Sequence, residues 1–203
     1  MTFKQWVKKY AGKKIDYDGA YGVQCVDLIK HYIKNVLGFT PKSIGNAKNY
    51  WIDRGSDYIK SMFIPIKNTP DFVPKEGDVF VRTSGKCGHI GVVCDKATTE
   101  YFYAYEQNAG GTGQGMTKHK HSGWRSINFL RPKKQNVTTS GGRLRAYKTI
   151  NDTVCSLYIP NGTEVDLIGV DAGFKSIDGK KYQMSKIKYN DSVYFVADKY
   201  VTI

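Results

Sequence analysis

Residues 25–37 read CVDLIKHYIKNVL, and this stretch decides the fold class. Apolar residues stand at positions 25, 28, 29, 32, 33 and 36, the three- and four-residue spacing of a helix with one buried face. Gly38 follows where a C-terminal helix cap is expected. The sequence therefore predicts a long amphipathic helix that begins at Cys25.

Short apolar runs follow this helix. After the turn sequence PKEG they occupy residues 78–81, 89–94, 101–105 and 127–130. Short runs of this kind between turn signals are typical of strands. A helix followed by strands is an α+β order, so we expect an antiparallel sheet in this part of the chain.

The C-terminal third has a different character. Residues 132–142 read PKKQNVTTSGG, which is polar and without periodicity, so we predict a linker at 133–142. Beyond it, short β-rich runs lie near 143–148, 164–170, 182–189 and 192–197. The prediction is a first domain at 1–132 and a small β-barrel at 143–203.

The chain of 203 residues is strongly basic, with 31 Lys and Arg against 18 Asp and Glu and a net charge of +13. Most of the excess lies in residues 1–137, with 22 basic against 11 acidic residues. Such a charge suits an anionic polymer: nucleic acid, a membrane surface or a teichoic-acid-bearing wall. We find no motif that interleaves basic and aromatic residues as nucleic-acid readers do, and expect no nucleic-acid partner.

The expected compartment follows from the absence of long apolar stretches and from the small number of cysteines. No stretch approaches the roughly 18 apolar residues of a membrane span, and the N-terminal MTFKQWVKKYAGKK has no apolar signal core. We expect synthesis in the cytoplasm without a signal peptide, and no membrane insertion. The four cysteines are too few for a disulfide scaffold, so reduced thiols are expected: Cys25, Cys87, Cys94 and Cys155.

Three positions are candidates for nucleophilic catalysis. Cys25 opens the predicted helix, where the helix dipole and free N–H groups stabilise a thiolate, although buried structural cysteines are commoner. His89 opens the strand GHIGVV, whose glycines leave room beside the imidazole; the alternative is a core histidine. Glu106 or Asn108, at the end of YFYAYEQN, would orient that ring, although each alone is more often a surface residue.

Two alternatives compete with this assignment. Cys87 lies two residues from His89, but on a strand the two side chains would point along one face without converging. Zinc held by Cys87, His89 and Cys94 is a further alternative, but no CxxC pair supports it.

Taken in order, the motifs closely resemble the CHAP family of peptidoglycan amidases and peptidases. They are DYDGAYGVQCVDL at 16–28, GNA at 45–47, GDV at 77–79, GHIGVV at 88–93, YEQN at 105–108 and FLRP at 129–132. The resemblance covers about residues 1–132 and implies a papain-like α+β fold. It also implies that Cys25 is the nucleophile, His89 the general base, Glu106 the orienting group and Asn108 an assisting group.

The acidic loop before the cysteine is a candidate calcium site. Its ligand positions 1, 3, 5, 7 and 12 match an EF-hand loop, although the last is the shorter Asp and the glycine is misplaced: Asp16, Asp18, Ala20, Gly22 and Asp27. The alternative is an Asp-Gly turn before a helix with an acidic first turn. Because some CHAP enzymes of phage endolysins bind calcium at this loop, the resemblance implies a structural calcium ion that braces Cys25.

Residues 138–203 resemble a bacterial SH3 domain. The matching parts are GRLRA at 142–146, IPNGTEV at 159–165, IKYN at 187–190 and ADKYV at 197–201. The usual tryptophan of the central strand is missing, and Phe174 stands near its place. The resemblance implies binding to a cell-wall peptide or crossbridge; the alternative is a stabilising domain without a ligand.

The leading hypothesis is a phage endolysin that hydrolyses amide bonds of Gram-positive peptidoglycan by a Cys-His-Glu mechanism. It would be made in the host bacterial cytoplasm without a signal peptide and would act on the cell wall after its release. The alternatives are a bacterial autolysin of the same chemistry and a non-enzymatic wall-binding or nucleic-acid-binding basic protein. An N-acetylmuramoyl-L-alanine amidase and a peptide endopeptidase remain equally open, because a thiol attacks either amide in the same way.

Overall fold

The computed structural model describes residues 1–139, 141–170 and 172–202, without the side chains at 135 and 136. The chain forms two compact units, Met1–Arg131 and Pro132–Ile203. No helix among the described residues is long and apolar enough to cross a membrane.

The first unit is an α+β domain. Its helices are α1 (Phe3–Tyr10), α2 (Cys25–Asn35), α3 (Asn49–Ile52) and α4 (Asp57–Met62). Its strands are β1 (Phe63–Ile66), β2 (Val79–Arg82), β3 (His89–Cys94), β4 (Tyr101–Glu106), β5 (Thr117–Ser122) and β6 (Asn128–Pro132). They form one sheet in the order β1-β6-β2-β3-β4-β5, and every pair from β6 to β5 is antiparallel.

Helix α2 begins at Cys25 as the periodicity predicts and packs against β3. The middle of its apolar stripe is fully buried, with Leu28 and Ile33 at 0% exposure, whereas Cys25 at its start is partly exposed. At its N-terminus the Asp27 carboxylate accepts the Gln24 backbone N–H at 2.9 Å, which satisfies a donor that the helix leaves free. These contacts place the first residue of α2 beside the edge where β3 begins.

A buried ion pair joins the turn before β2 to the end of β6. Arg131 donates from Nε and Nη2 to the two carboxylate oxygens of Asp78, both at 2.8 Å. Asp78 also accepts the Lys75 backbone N–H at 2.8 Å, so this buried carboxylate is well satisfied. The GDV and FLRP motifs therefore meet as one structural contact.

The second unit is all-β among its described residues, apart from a short 3-10 turn at Asp198–Tyr200. Its strands are β7 (Lys134–Val137), β8 (Arg143–Ala146), β9 (Leu157–Pro160), β10 (Glu164–Gly169), β11 (Phe174–Ile177), β12 (Lys180–Tyr189), β13 (Ser192–Ala197) and β14 (Val201–Thr202). One sheet has the order β11-β12-β10-β7-β14, with β13 also paired to β12, and β8 and β9 form a hairpin.

The predicted linker at 133–142 is wrong in its first half. Strand β7 pairs with β10 and β14, and Val137 is fully buried. The polar character of this stretch comes partly from Lys134, whose ammonium lies 3.0 Å from Glu164 and 3.1 Å from Asp166 on the neighbouring strand. Charge pairs with the neighbouring strand therefore help to stabilise β7, although its sequence lacks the apolar alternation typical of a strand.

Candidate active site

The loop before α2 is held in place by Gln107, which is fully buried. Its side-chain amide donates to the carbonyl oxygens of Ile15 at 2.7 Å and Gln24 at 2.6 Å. These two bonds fix both ends of the loop to the residue that follows β4. Sequence reasoning quoted Gln107 within the YEQN motif but gave it no role. The sequence feature that could have indicated this role is an uncharged amide side chain directly after a buried strand.

His89 and Glu106 meet because β3 begins where antiparallel β4 ends. His89 Nε2 lies 2.6 Å from Glu106 Oε2, and the Glu106 side chain is buried. The close approach requires Gly91 on β3. A Cβ there would lie 2.6 Å from the Phe80 ring and 3.0 Å from the Glu106 Cβ. Gly91, two residues after His89, therefore makes room for the carboxylate.

Cys25 completes the group: it lines the same cavity as His89 and Glu106, and its thiol helps to raise the pKa of the His89 imidazole. An ionised carboxylate only accepts, so His89 Nε2 donates to Glu106, which leaves Nδ1 as the nitrogen available to Cys25. The predicted nucleophile, base and orienting group are thus brought together from α2, β3 and β4.

The electrostatics of the pair favour a protonated imidazole and an ionised carboxylate. Burial alone lowers the pKa of His89, but its hydrogen bonds to Cys25 and Glu106 raise it to about 9. Burial alone raises the pKa of the Glu106 carboxyl, but His121 and His89 outweigh it and hold that pKa far below its ordinary range. Glu106 therefore carries its charge throughout the neutral range.

Two adjoining cavities meet at Cys25. One, of about 410 Å³, is lined by His89, Glu106 and the loop from Asn108 to Gly111. The other, of about 500 Å³, is lined by the acidic loop and residues near Asn46. A substrate that occupied both would place a bond over the sulfur.

Asn108 lines the first cavity but bonds to its own loop. It has a left-handed backbone (φ 53°), and its side-chain oxygen accepts the Gly113 N–H at 2.8 Å. Its own N–H donates to the Gln114 carbonyl at 3.0 Å. Asn108 thus shapes the glycine-rich loop that lines the same cavity as Cys25, His89 and Glu106.

Cys87 lies in a different place from the one expected, because β3 begins only at His89. It is exposed in the preceding loop and lines both cavities together with Cys25. The expectation that Cys87 and His89 lie side by side on one strand face is therefore wrong. Cys94, at the other end of β3, is buried, and burial raises the pKa of its thiol to about 12. The three proposed zinc ligands do not form a metal-binding group within the described part of the chain.

The acidic loop does gather its carboxylates. Oxygens of Asp16, Asp18 and Asp27 lie within 4.8 Å of one another. Asp16 and Asp18 accept the backbone N–H groups of Gly19 and Ala20, at 2.8 and 3.1 Å. A buried ammonium also sits at the cluster: Lys30 Nζ lies 2.5 Å from Asp18 and 3.9 Å from Asp27.

Strand β5 brings two histidines to the same carboxylate, and sequence reasoning missed both. His119 Nδ1 lies 2.6 Å from Glu106 Oε1, and His121 Nε2 lies 3.4 Å from the same oxygen. The signal was the alternation in TKHKHS, which places both histidines on one face of a strand.

Comparison with known proteins finds similarity in the part of the chain that holds this site. Residues 14–108 match the family described as CHAP domain. The chain is 34% identical over 146 residues to endolysin PlyTW of Staphylococcus phage Twort, covering 64% of this chain and 30% of that protein. It is 39% identical over 100 residues to endolysin LysK of Staphylococcus phage K, covering 48% of this chain and 19% of that one. The chain thus spans less than a third of the length of these relatives.

Proposed function

We propose that this chain, whose residues 14–108 match the CHAP domain family, hydrolyses amide bonds of Gram-positive peptidoglycan in the manner of a phage endolysin. The observation that carries the proposal is the convergence of Cys25, His89 and Glu106 on one cavity, with His89 hydrogen-bonded to the buried Glu106 carboxylate and Cys25 lining two adjoining cavities. The similarity to two staphylococcal phage endolysins supports the wall as substrate.

In the proposed mechanism, the Cys25 proton has passed to Nδ1 of His89 before the substrate reacts, in keeping with the raised pKa of that imidazole, and the thiolate attacks the carbonyl carbon of the amide. The tetrahedral adduct collapses, the carbon–nitrogen bond breaks, and the imidazolium returns the proton to the leaving amine. Water then attacks the thioester, His89 takes its proton and returns it to the sulfur, and the carboxylic acid leaves. Glu106 holds the Nε2–H tautomer, so that Nδ1 serves in both half-reactions.

We also propose a papain-like fold for the first unit and a bacterial SH3-like barrel that holds the cell wall for the second. The order of nucleophile, histidine and orienting group supports the first assignment. The compact set of short strands after residue 132 supports the second. Phe174, with 61% exposure on β11, offers an aromatic surface for a wall peptide in place of the missing tryptophan.

Mass spectrometry of digested Gram-positive walls tests the proposed function. A new N-terminal L-alanine with an intact muramoyl lactyl group would identify an amidase, and new ends within the stem or crossbridge an endopeptidase. Cys25→Ala is the control and should release neither. New reducing sugar ends from the wild type alone, without new peptide ends, would contradict the proposal, because a thiol nucleophile does not cleave glycosidic bonds in this way.

A structural calcium ion at the acidic loop is a further part of the proposal. Three carboxylates suit a hard cation that prefers oxygen ligands, and the carbonyls of Ala20 and Gly22 would complete the set. The ion would brace the loop that leads into Cys25. Lys30 already neutralises part of this charge, so calcium would have to displace its ammonium from Asp18.

Calcium is therefore expected to raise the melting temperature of the protein relative to EGTA, and Asp16→Ala or Asp18→Ala should remove the difference. Binding to the folded state alone stabilises by about 2.7 kcal/mol at a hundredfold excess over Kd. Lys30→Met should enlarge the calcium effect, because it removes the competing ammonium. A wild-type melting curve that is the same in EGTA and in millimolar calcium would contradict the proposed calcium site.

Residues 1–132 alone are expected to cleave soluble muropeptides at nearly the full rate, because the first unit holds every proposed catalytic group. On intact walls the truncated protein should be slower, roughly tenfold, since tethering raises the effective enzyme concentration at an insoluble substrate. Initial rates on both substrates measure the split. Loss of activity on soluble fragments would show that the second unit helps to build the active site.

A further inference from the structure

Strand β5 lies beside β4 in a register that brings its histidines to the catalytic carboxylate. Ala104 pairs with His119 and Phe102 with His121, so both histidines share the sheet face of Glu106. The His121 ring stacks on Phe102 with centroids 4.7 Å apart and a 11° angle between planes. Of the two, His119 makes the shorter contact, 2.6 Å to Glu106 Oε1.

The donor and acceptor roles along this contact are fixed by chemistry. The ionised Glu106 only accepts, so His119 Nδ1 must carry the proton and donate. The neutral ring then has its lone pair on Nε2, and the Gln114 side-chain nitrogen lies 3.4 Å from that atom. The Gln114 side-chain oxygen in turn accepts from Thr112 Oγ1 at 3.1 Å. Each group in the series thus has a role compatible with both neighbours.

Each oxygen of the Glu106 carboxylate therefore accepts a hydrogen bond from a different histidine. Oε2 accepts from His89, and Oε1 accepts from His119. A carboxylate held at one oxygen retains rotational freedom about its side-chain bonds, whereas one held at both is confined to a single orientation. That orientation sets the direction of the His89 ring, and hence of Nδ1, the nitrogen that Glu106 leaves available to Cys25.

The contacts that run from Glu106 through His119 to Gln114 and Thr112 reach the loop that lines the active-site cavity. Gln114 and Thr112 belong to the loop that begins at Asn108, and residues 108–111 line the cavity that contains His89. The loop has left-handed backbone at Gly110, Gly111 and Gly113, a conformation that glycine adopts without strain. His119 is thus the group through which this loop contacts the catalytic carboxylate.

We propose that His119, supported by Gln114, is a positioning residue that holds Glu106 against His89 and so extends the Cys-His-Glu series to the glycine-rich loop. The proposal rests on the proposed function for its kinetic consequences. Its structural consequence, an ordered Glu106–His89 hydrogen bond, is independent of the substrate.

Two substitutions of His119 separate positioning from packing. His119→Leu fills the space without a donor, whereas His119→Asn places an amide nitrogen as many bonds from the backbone as Nδ1. With soluble muropeptides, His119→Leu should lower kcat about 10- to 100-fold with little change in KM, because small displacements of catalytic groups cost this much. His119→Asn should restore kcat to within about threefold of the wild type. Gln114→Leu should give a smaller loss, since it removes the support one step farther away.

Lys120→Ala is the matched control, because Lys120 lies on β5 between the two histidines and is exposed on the other face. It should leave kcat and KM unchanged. Equal kcat losses in the Asn and Leu variants, or a Leu variant with kcat within twofold of the wild type, would overturn the positioning role. A wild type without peptidoglycan cleavage would instead count against the proposed function.

Proton NMR gives a readout that does not depend on turnover. The Nε2–H proton of His89 should appear as a downfield, slowly exchanging signal, identified by its loss in His89→Ala. The signal should persist in His119→Asn and Lys120→Ala and should broaden or disappear in His119→Leu. If it is unchanged in His119→Leu, His119 does not hold Glu106 and the proposal is wrong.

Discussion

Cys25→Ala is expected to reduce the lysis of Gram-positive cells by at least about 10³-fold, because it removes the thiol that would form the acyl intermediate. The side chain of Cys25 lies at the first residue of α2 and is only half-buried, so its removal should leave the fold intact. Loss of turbidity measures lysis, and a melting curve close to that of the wild type confirms folding.

Cys87→Ala is the natural control for this variant, because Cys87 lines the same cavities and is exposed. It should retain most of the activity. His89→Ala should be as inactive as Cys25→Ala, and the double variant little worse than either, since the two residues act as a unit. A lytic Cys25→Ala protein together with an inactive Cys87→Ala protein would show that the nucleophile is misassigned.

Glu106→Gln is the second substitution with a large expected effect, about 10²- to 10⁴-fold in kcat, the range set by loss of the orienting carboxylate in triad enzymes. The amide has the same size, but it removes the charge that His89 and His119 share. The rate on soluble muropeptides measures the loss. A variant with kcat within threefold of the wild type would exclude Glu106 as the orienting group.

The same variant should change the dependence of stability on pH. Because the pKa of Glu106 is lowered by folding, its contribution exists above the unfolded value of about 4.3 and is lost as the pH falls. Because the pKa of His89 is raised to about 9, its contribution exists below about pH 6.5 and is lost as the pH rises through 9. The difference in melting temperature between wild type and Glu106→Gln should therefore be largest between about pH 4.3 and 6.5, and it should shrink as the pH falls below or rises above this window.

The parts of the site that the sequence predicted depend on local patterns. A periodic apolar stripe locates the start of α2 at Cys25, and the run GHIGVV locates the strand that opens with His89. The order of motifs then pairs these residues with Glu106 through the resemblance. Residue spacing alone left Glu106 and Asn108 as equal candidates, and only the geometry separates them.

The parts that sequence reasoning missed depend on pairing between distant strands. His119 and His121 become neighbours of Glu106 only through the β4–β5 register, which no local pattern in TKHKHS specifies. The sequence predicts a linker where β7 lies, because its polar residues give no local sign of a strand. The charge partners of Lys134 lie some 30 residues farther along the chain. Helix α1 was missed for a similar reason: its basic residues dominate the sequence FKQWVKKY, while only Phe3 and Trp6 are buried.

Alkylation of the cysteines identifies the nucleophile. Limited iodoacetamide treatment, followed by peptide mapping and a lysis assay of the same samples, measures the modified fraction of Cys25 and of the exposed Cys87 against residual activity. Activity should fall in proportion to the carboxamidomethylated fraction of Cys25 and should not depend on the modification of Cys87. Full activity in protein with completely modified Cys25 would show that Cys25 is not the nucleophile.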